Sequence, residues 1–230
     1  SVRLVDGLFS FVYKRAAEVG ELGDNTAALR AAIRADDLLR VALQADTAHV
    51  LVLSHTRWAS IGIISEPNCH PLNSDETASG PGDAATSPAP YVIVALNGDV
   101  DNYADLSALD DLRIPTEITT DAKVIPTLVS RRIAAGLDPV EAFRSTVASF
   151  EGSVAIAASL AATPDCILLA QRGSGQALYV GLADGLTIVA SEPYGVVEVA
   201  DRYMRLDGET AREPGNPATQ GQVVAIDGRR

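Results

Sequence analysis

Cysteine, tryptophan, methionine and cationic side chains are all scarce in this chain, and each shortage removes a class of function. There are two cysteines, Cys69 and Cys166, and their spacing fits neither a disulfide framework nor a metal site. Against 30 Asp and Glu stand only 18 Lys and Arg, a net charge of −12, so nucleic acid and anionic membrane would both repel the chain. No apolar run reaches the roughly 18 residues of a membrane-spanning helix, and the first residues show no signal-peptide pattern. A soluble cytoplasmic protein is the default expectation. What is plentiful is aliphatic: at 230 residues and 47% hydrophobic the chain is long enough for one substantial domain with an appended subregion.

Periodicity gives a coarse order of elements. Val5, Leu8, Phe9, Val12, Ala16 and Val19 recur at three- and four-residue intervals and predict a helix over about 3–20. Gly23-Asp24-Asn25 stops it and starts a second helical region with Leu29, Ile33, Leu38 and Val41 on one face. The short apolar run 48–54 reads as a buried strand. Residues 72–90 are rich in Ser, Pro, Gly and Asp and read as a mobile surface excursion. Tyr91–Leu96 resumes a strand, and Val124, Ile125, Leu128, Val129 and Ile133 form an amphipathic helix in which Pro126 should bend the helix or move its start. Asp138-Pro139-Val140-Glu141 is a helix start; Gly152–Leu160, Cys166–Gln171, Ala177–Leu182 and Leu186–Ser191 read as strands, the last two joined through Ala183-Asp184-Gly185. Residues 1–46 are thus taken as a helical region within or packed on the domain, and 47–230 as the domain itself with a flexible insertion at 72–90.

Three places carry chemistry. His55-Thr56-Arg57-Trp58-Ala59-Ser60-Ile61-Gly62 sets a guanidinium beside an indole at the end of an apolar run, which suits a small carboxylate: the Arg fork donates two parallel hydrogen bonds while the ring excludes water. Trp58 has a core-aromatic reading as well. Asn97-Gly98 reads either as a tight turn or as a pair of donors. Asp121 reads as an acid in the first turn of a helix capped by Thr120, a position that also holds a carboxylate rigidly toward a ligand.

Taken with Asn68-Cys69-His70-Pro71 and Thr119-Thr120-Asp121-Ala122-Lys123-Val124, these stretches resemble the glutaminase domain of the glucosamine-6-phosphate synthases, class II glutamine amidotransferases of the N-terminal nucleophile type. The family patterns are His-Thr-Arg-Trp-Ala-Thr-His-Gly, Asn-Ala-His-Pro, His-Asn-Gly-(Ile/Val)-Ile-Glu-Asn and Thr-Asp-Thr-Glu-Val, and about residues 48–210 follow them in order. The resemblance implies an α+β fold, a four-layer α/β/β/α sandwich with an extra N-terminal helical region. It also implies glutamine as substrate, with Arg57 and Ser60 on its carboxylate, Trp58 on a closing loop, Asp121 on its α-ammonium, and Asn97 and Gly98 as the oxyanion hole. No cofactor or metal is implied. Sugar isomerase-type domains, on the same or a partner chain, would receive the ammonia and aminate a sugar phosphate; homo-oligomer formation stays open.

Departures from the pattern are as informative. Ile61 replaces a His, Leu96 replaces the His before Asn-Gly, Asp99-Val100-Asp101 replaces Ile/Val-Ile-Glu, and Ala122-Lys123 replaces Thr-Glu. The family's nucleophile is a cysteine in a Cys-Gly-Ile stretch at the mature N-terminus, its own α-amino group acting as base. The chain opens Ser1-Val2-Arg3 and has no such stretch; Cys69 stands where the family has a small Ala, and Cys166 begins a strand. Two readings follow: a fragment whose nucleophile lies upstream, expected to be inactive alone, or a glutamine-binding or regulatory domain without turnover.

Overall fold

Residues 152–160 and 166–172 are apolar on both faces of their alternation, and the structure uses both faces. In this computed structural model, residues 1–5, 7–16, 23–56, 61–77 and 90–228 are described. The chain begins with β1 (Val2–Val5), β2 (Leu8–Phe11), α1 (Asp24–Ala35) and α2 (Asp37–Leu43), followed by β3 (Leu72–Asn73), β4 (Val92–Val100) and α3 (Tyr103–Leu109). Then come α4 (Val124–Ala134), α5 (Pro139–Ala148), β5 (Gly152–Leu160), β6 (Cys166–Arg172), β7 (Tyr179–Ala183), β8 (Leu186–Ala190), α6 (Tyr194–Val197), β9 (Arg202–Arg205) and β10 (Gln222–Asp227).

The antiparallel order β10-β6-β5-β4-β3 makes one sheet and β8-β7-β9 another. Val154, Ile156, Ala158 and Leu160 of β5, with Leu168 and Ala170 of β6, face a core filled by Val124, Ile125, Leu128 and Val129 of α4 and Ala142, Phe143 and Val147 of α5. The intervening residues Ala155 and Leu169 face the other way, meeting Leu178, Val180 and Leu206 at the second sheet. Beyond that sheet lies α6, admitted by Gly181 and Gly195: a Cβ on Gly181 would stand 2.7 Å from Ala200 Cβ. Helices, sheet, sheet, helix is the α+β sandwich expected.

Helix starts follow their chemistry. The Asp138 carboxylate accepts from Val140 N and Glu141 N at 2.9 and 3.2 Å, with Pro139 at the first position. Pro126 lies in the first turn of α4, where its missing N–H costs nothing, so the proline moves the start of the helix instead of breaking it.

Three expectations are corrected. Val2–Val5 and Leu8–Phe11 pair as antiparallel strands and do not start a helix over 3–20: Val5 pairs with Leu8 and Gly7 has φ +82°, so the hairpin signal of Asp6-Gly7 in the sequence outweighs the helical spacing. The run 48–54 is not a buried strand: among the described residues it pairs with nothing, and Val50 and Val52 are 61% and 77% exposed. Apolar content alone does not make a strand where no ladder receives its N–H and C=O groups. The first residues of the excursion expected over 72–90 are not part of one, because Leu72 is buried and β3 pairs with β4; residues 78–89 lie outside the described residues. The helices over 24–43 and the hairpin of β7 and β8 are as expected.

Both flanks of the excursion are tied to α4 and the turn before it. Lys123 is fully buried and its Nζ donates to Asn73 O and Asp75 O, each at 2.6 Å. Arg131 pairs with both carboxylate oxygens of Glu76 at 2.8 and 2.7 Å, and Ser130 Oγ donates to Pro90 O at 2.7 Å. Burial pushes Lys123 down from its ordinary value of 10.5 to about 8, the charges of Asp75 and Glu76 opposing that shift. Its folded pKa lies below the unfolded one, so the unfolded chain carries the extra proton between these values and stability rises with pH across the window. Denaturant titrations of wild type and Lys123→Met from pH 7 to 10.5 should therefore diverge in favour of wild type, by up to about 3 kcal/mol at about 1.4 kcal/mol per unit; a constant difference would contradict it.

Candidate functional site

The free edge of β4 organises the site. Beyond its short pairing with β3, this strand runs on from Ala95 to Val100 with one row of N–H groups turned away from β5. Side chains take the N–H groups of Leu96 and Val100 in this stretch, and that of Val92 before it. Val92 N donates to Ser74 Oγ at 3.1 Å, Leu96 N to His70 Nδ1 at 3.0 Å, and Val100 N to Asp121 Oδ2 at 2.7 Å.

Asp121 arrives there because the chain before it is clamped. Asn68, buried, accepts from Thr119 N at 2.7 Å and Thr120 N at 3.1 Å through Oδ1. Its Nδ2 donates to Ser65 Oγ at 2.9 Å and Glu117 O at 3.3 Å. A single side chain thereby fixes residues 117–120. Thr120 does not cap by its side chain; its Oγ1 donates to Asp121 Oδ1 at 3.2 Å. Burial raises the Asp121 carboxyl above the ordinary carboxylate range, with the nearby Asp99 charge adding to it and the Val100 and Thr120 hydrogen bonds opposing.

Asn97 and Gly98 are not a turn. They lie inside β4, opposite Ala155 and Val154 of β5, with Gly98 at φ +107°. The following apolar residue, Val100, returns to the helix-covered core, so strand pairing on both sides prevents the reversal that an Asn-Gly pair otherwise signals. A Cβ on Gly98 would collide with Ser153 O, so only glycine fits. The Asn97 carboxamide bonds to none of the described residues and is half-buried.

Arg57, Trp58 and Ser60 lie outside the described residues, as does Ala59. The two ends of their octet are placed. His55 stacks on His70 with ring centroids 4.5 Å apart. At the other end Ile63 N donates to Thr119 Oγ1 at 3.2 Å, and a Cβ on Gly62 would stand 3.1 Å from Thr120 N. One end of the octet therefore leads from the group that holds Leu96, next to Asn97, and the other reaches the segment that leads into Asp121. Cys69 sits apart from this chemistry, its Sγ 3.4 Å from Ser65 O and 3.5 Å from Arg15 O, and neither cysteine is in a disulfide. A cavity of about 770 Å³ lined by Lys14, Arg15, Leu29, Pro71, Tyr91 and their neighbours, at the far end of β4, includes neither Asn97 nor Asp121. No group of three or more His, Cys, Asp or Glu among the described residues could hold a metal.

Asn68 and His70 stood in a motif but had no place among the sequence-derived site residues. The signal was available: two polar residues in a short motif beside Pro71 need partners once buried, and buried hydrogen-bonding groups find them in backbone.

No family model matches the chain. The glutamine–fructose-6-phosphate aminotransferase (isomerizing) of Bacillus thuringiensis subsp. konkukian is 31% identical over 170 residues, 73% of this chain and 26% of that protein. Its counterpart in Geobacillus kaustophilus is 34% identical over 158 residues, 68% of this chain and 24% of that protein. The chain thus spans about a quarter of the length of these relatives. Among solved structures, the glutamine phosphoribosylpyrophosphate amidotransferase of B. subtilis, complexed with ADP and GMP, aligns with TM-score 0.51 at 19% identity, over 75% of this chain and 32% of that one. That likeness is one of fold.

The clamp can be tested on its own. Asn68→Ala leaves the N–H groups of Thr119 and Thr120 without their acceptor, a loss of about 2–4 kcal/mol in urea unfolding, whereas Ser65→Ala, which removes only one partner of Nδ2, should lose clearly less. Equal losses would mean that the Oδ1 bonds do not hold this segment.

Proposed function

The chain belongs to the class II, N-terminal nucleophile, glutamine amidotransferases, and from that premise we propose that it holds the L-glutamine pocket of a glucosamine-6-phosphate synthase-like enzyme. In this reading Asp121 receives the α-ammonium, Arg57 and Ser60 the α-carboxylate, and Trp58 belongs to the loop that closes over the substrate. Asn97 Nδ2 and Gly98 N–H receive the oxygen of the side-chain amide. Residues 47–230 form the domain, and residues 1–46 pack on it through Arg3 against Asp75 and Tyr91 and Arg15 against Glu66.

The observation that carries the reading is the spacing of captured N–H groups along β4. Leu96 N and Val100 N are taken by His70 and Asp121, and strand alternation gives Gly98 the same parity between them. A donor flanked by two filled positions, beside an unoccupied Asn97 carboxamide, supports an oxyanion hole. An amide carbonyl seated there, on attack by a thiolate, moves its charge onto the oxygen held by these two donors. Collapse expels ammonia, the leaving nitrogen taking the proton that the thiol gave to the α-amino base, and leaves a thioester, which water cleaves to glutamate and the free thiol. The thiolate of the family comes from an N-terminal cysteine, a role for which neither Cys69 nor Cys166 stands in a comparable stretch. Transfer of ammonia to a sugar phosphate belongs, in the same reading, to sugar isomerase-type domains of the kind the relatives' names imply.

Isothermal titration of this chain with L-glutamine tests the pocket separately from turnover. Asp121→Asn retains an acceptor for Val100 N and sheds a carboxylate that burial disfavours, so its thermal midpoint at pH 7 should be unchanged or higher. Glutamine affinity should nevertheless fall by about 100-fold or more, since the α-ammonium loses its buried counter-charge; undiminished affinity would remove Asp121 from the site. In a longer form carrying the nucleophile, Asn97→Ala should lower ammonia release about 100- to 1,000-fold.

A further inference from the structure

We propose that Gln176 is the residue that makes the site select a carboxamide over a carboxylate, a reading that rests on Asn97 and Gly98 as the amide-oxygen donors. The loop between β6 and β7 folds back over β4 at the glycine. A Cβ placed on Gly98 would stand 2.9 Å from Gln176 Cγ, so this side chain lies in contact with the Gly98 backbone. The loop is fixed there. Buried Gln171 donates from Nε2 to Gln176 O at 2.9 Å and accepts from Leu178 N at 2.8 Å through Oε1. Gly175 N donates to Ser153 Oγ at 2.8 Å, and Cβ atoms on Gly173 and Gly175 would stand 2.9 and 3.1 Å from that same hydroxyl. Gly173 N adds a backbone bond to Gly208 O at 2.7 Å, so the loop is anchored through its backbone. The Gln176 carboxamide itself is half-buried and bonds to none of the described residues.

The chemistry of the site needs such a group. Asn97 Nδ2 and Gly98 N–H are donors, and two donors alone favour the carboxylate of glutamate at least as well as the amide oxygen of glutamine. What distinguishes glutamine is its terminal NH2, which must find an acceptor once water is excluded. Gln176 Oε1 is a neutral acceptor two bonds from a Cγ that already touches Gly98. With Oε1 turned to the site, glutamine completes a donor–acceptor pair, whereas glutamate presents a second oxygen to Oε1 and gains nothing.

The test measures a ratio of two affinities, which a merely structural role would not move. Titrate this chain and its Gln176→Leu and Gln176→Glu variants with L-glutamine and with L-glutamate, confirming each fold by its thermal midpoint. Gln176→Leu should weaken glutamine about tenfold and leave glutamate within about twofold, the worth of one hydrogen bond. Gln176→Glu, which can only accept while ionised, should hold glutamine within a few-fold and weaken glutamate tenfold or more. An unchanged ratio in both variants, or a parallel loss of both ligands, overturns the selection role while leaving the pocket intact. Failure of the wild-type chain to bind glutamine overturns the pocket, and this proposal with it.

Discussion

An exposed strand edge is a row of unpaired donors, and the site of this protein is built on how one such row is covered. β3 pairs with only two residues of β4, so most of that edge has no neighbouring strand. A sheet usually resolves this with another strand or with charged side chains that discourage pairing. Here the solution is residue by residue: Ser74, His70 and Asp121 each take one N–H. That requirement fixes the loops carrying those residues, and through Asn68 it fixes the segment before α4 as well. The residues involved, from Asn68 to Asp121, are therefore far apart in sequence yet meet along less than one strand.

The same constraint explains what the sequence could and could not disclose. Helix starts at Asp138 and the β7–β8 turn were legible because their determinants are local: a cap, a proline, a two-residue turn. The N-terminal hairpin carried its own local signal in Asp6-Gly7, which the apolar spacing of residues 5 to 19 obscured. Asn97-Gly98 misled in the opposite direction, since its local preference for a turn yields to ladder pairing with β5 on both sides. The run 48–54 shows the limit of composition: β-branched residues make a strand only where an edge receives them, and Val52 remains outside. Asp121 and Gly98 were identifiable by type and by resemblance, but the hydrogen bonds that position them come from residues whose role depends on long-range contact. His70 and Leu96 are 26 positions apart, Asn68 and Thr120 52.

Electrostatics sharpen the division between scaffold and site. Lys123 and Asp121 both lie in the buried turn before α4, and burial shifts each toward its neutral form. Their surroundings differ in kind. Lys123 donates to the carbonyls of Asn73 and Asp75, and the charges of Asp75 and Glu76 oppose the effect of its burial, which makes it a structural tie. Asp121 has accepted one N–H and one hydroxyl, with burial and the Asp99 charge still pressing against ionisation. A carboxylate carrying that penalty is relieved by a cation brought to it, whereas a lysine already surrounded by carbonyls is not. The replacement of Thr-Glu by Ala122-Lys123 in the resembled motif thus falls on the scaffold side of the turn.

Burial also bears on why Gly98 and the loop over it belong to one unit. A positive φ inside a strand is costly for any residue with a Cβ, and at this position the collision with Ser153 O excludes one outright. Backbone left bare in this way would ordinarily be covered by water or by a neighbouring side chain. The structure covers it with Gln176, delivered by a loop whose two glycines press against Ser153 and whose carbonyl is held by buried Gln171. Had the purpose been packing alone, an apolar side chain would seal the glycine without burying a carboxamide that must give up water. A half-buried amide with no partner among the described residues, pressed against a strand residue that must be glycine, is instead what a site leaves free for the ligand it recognises.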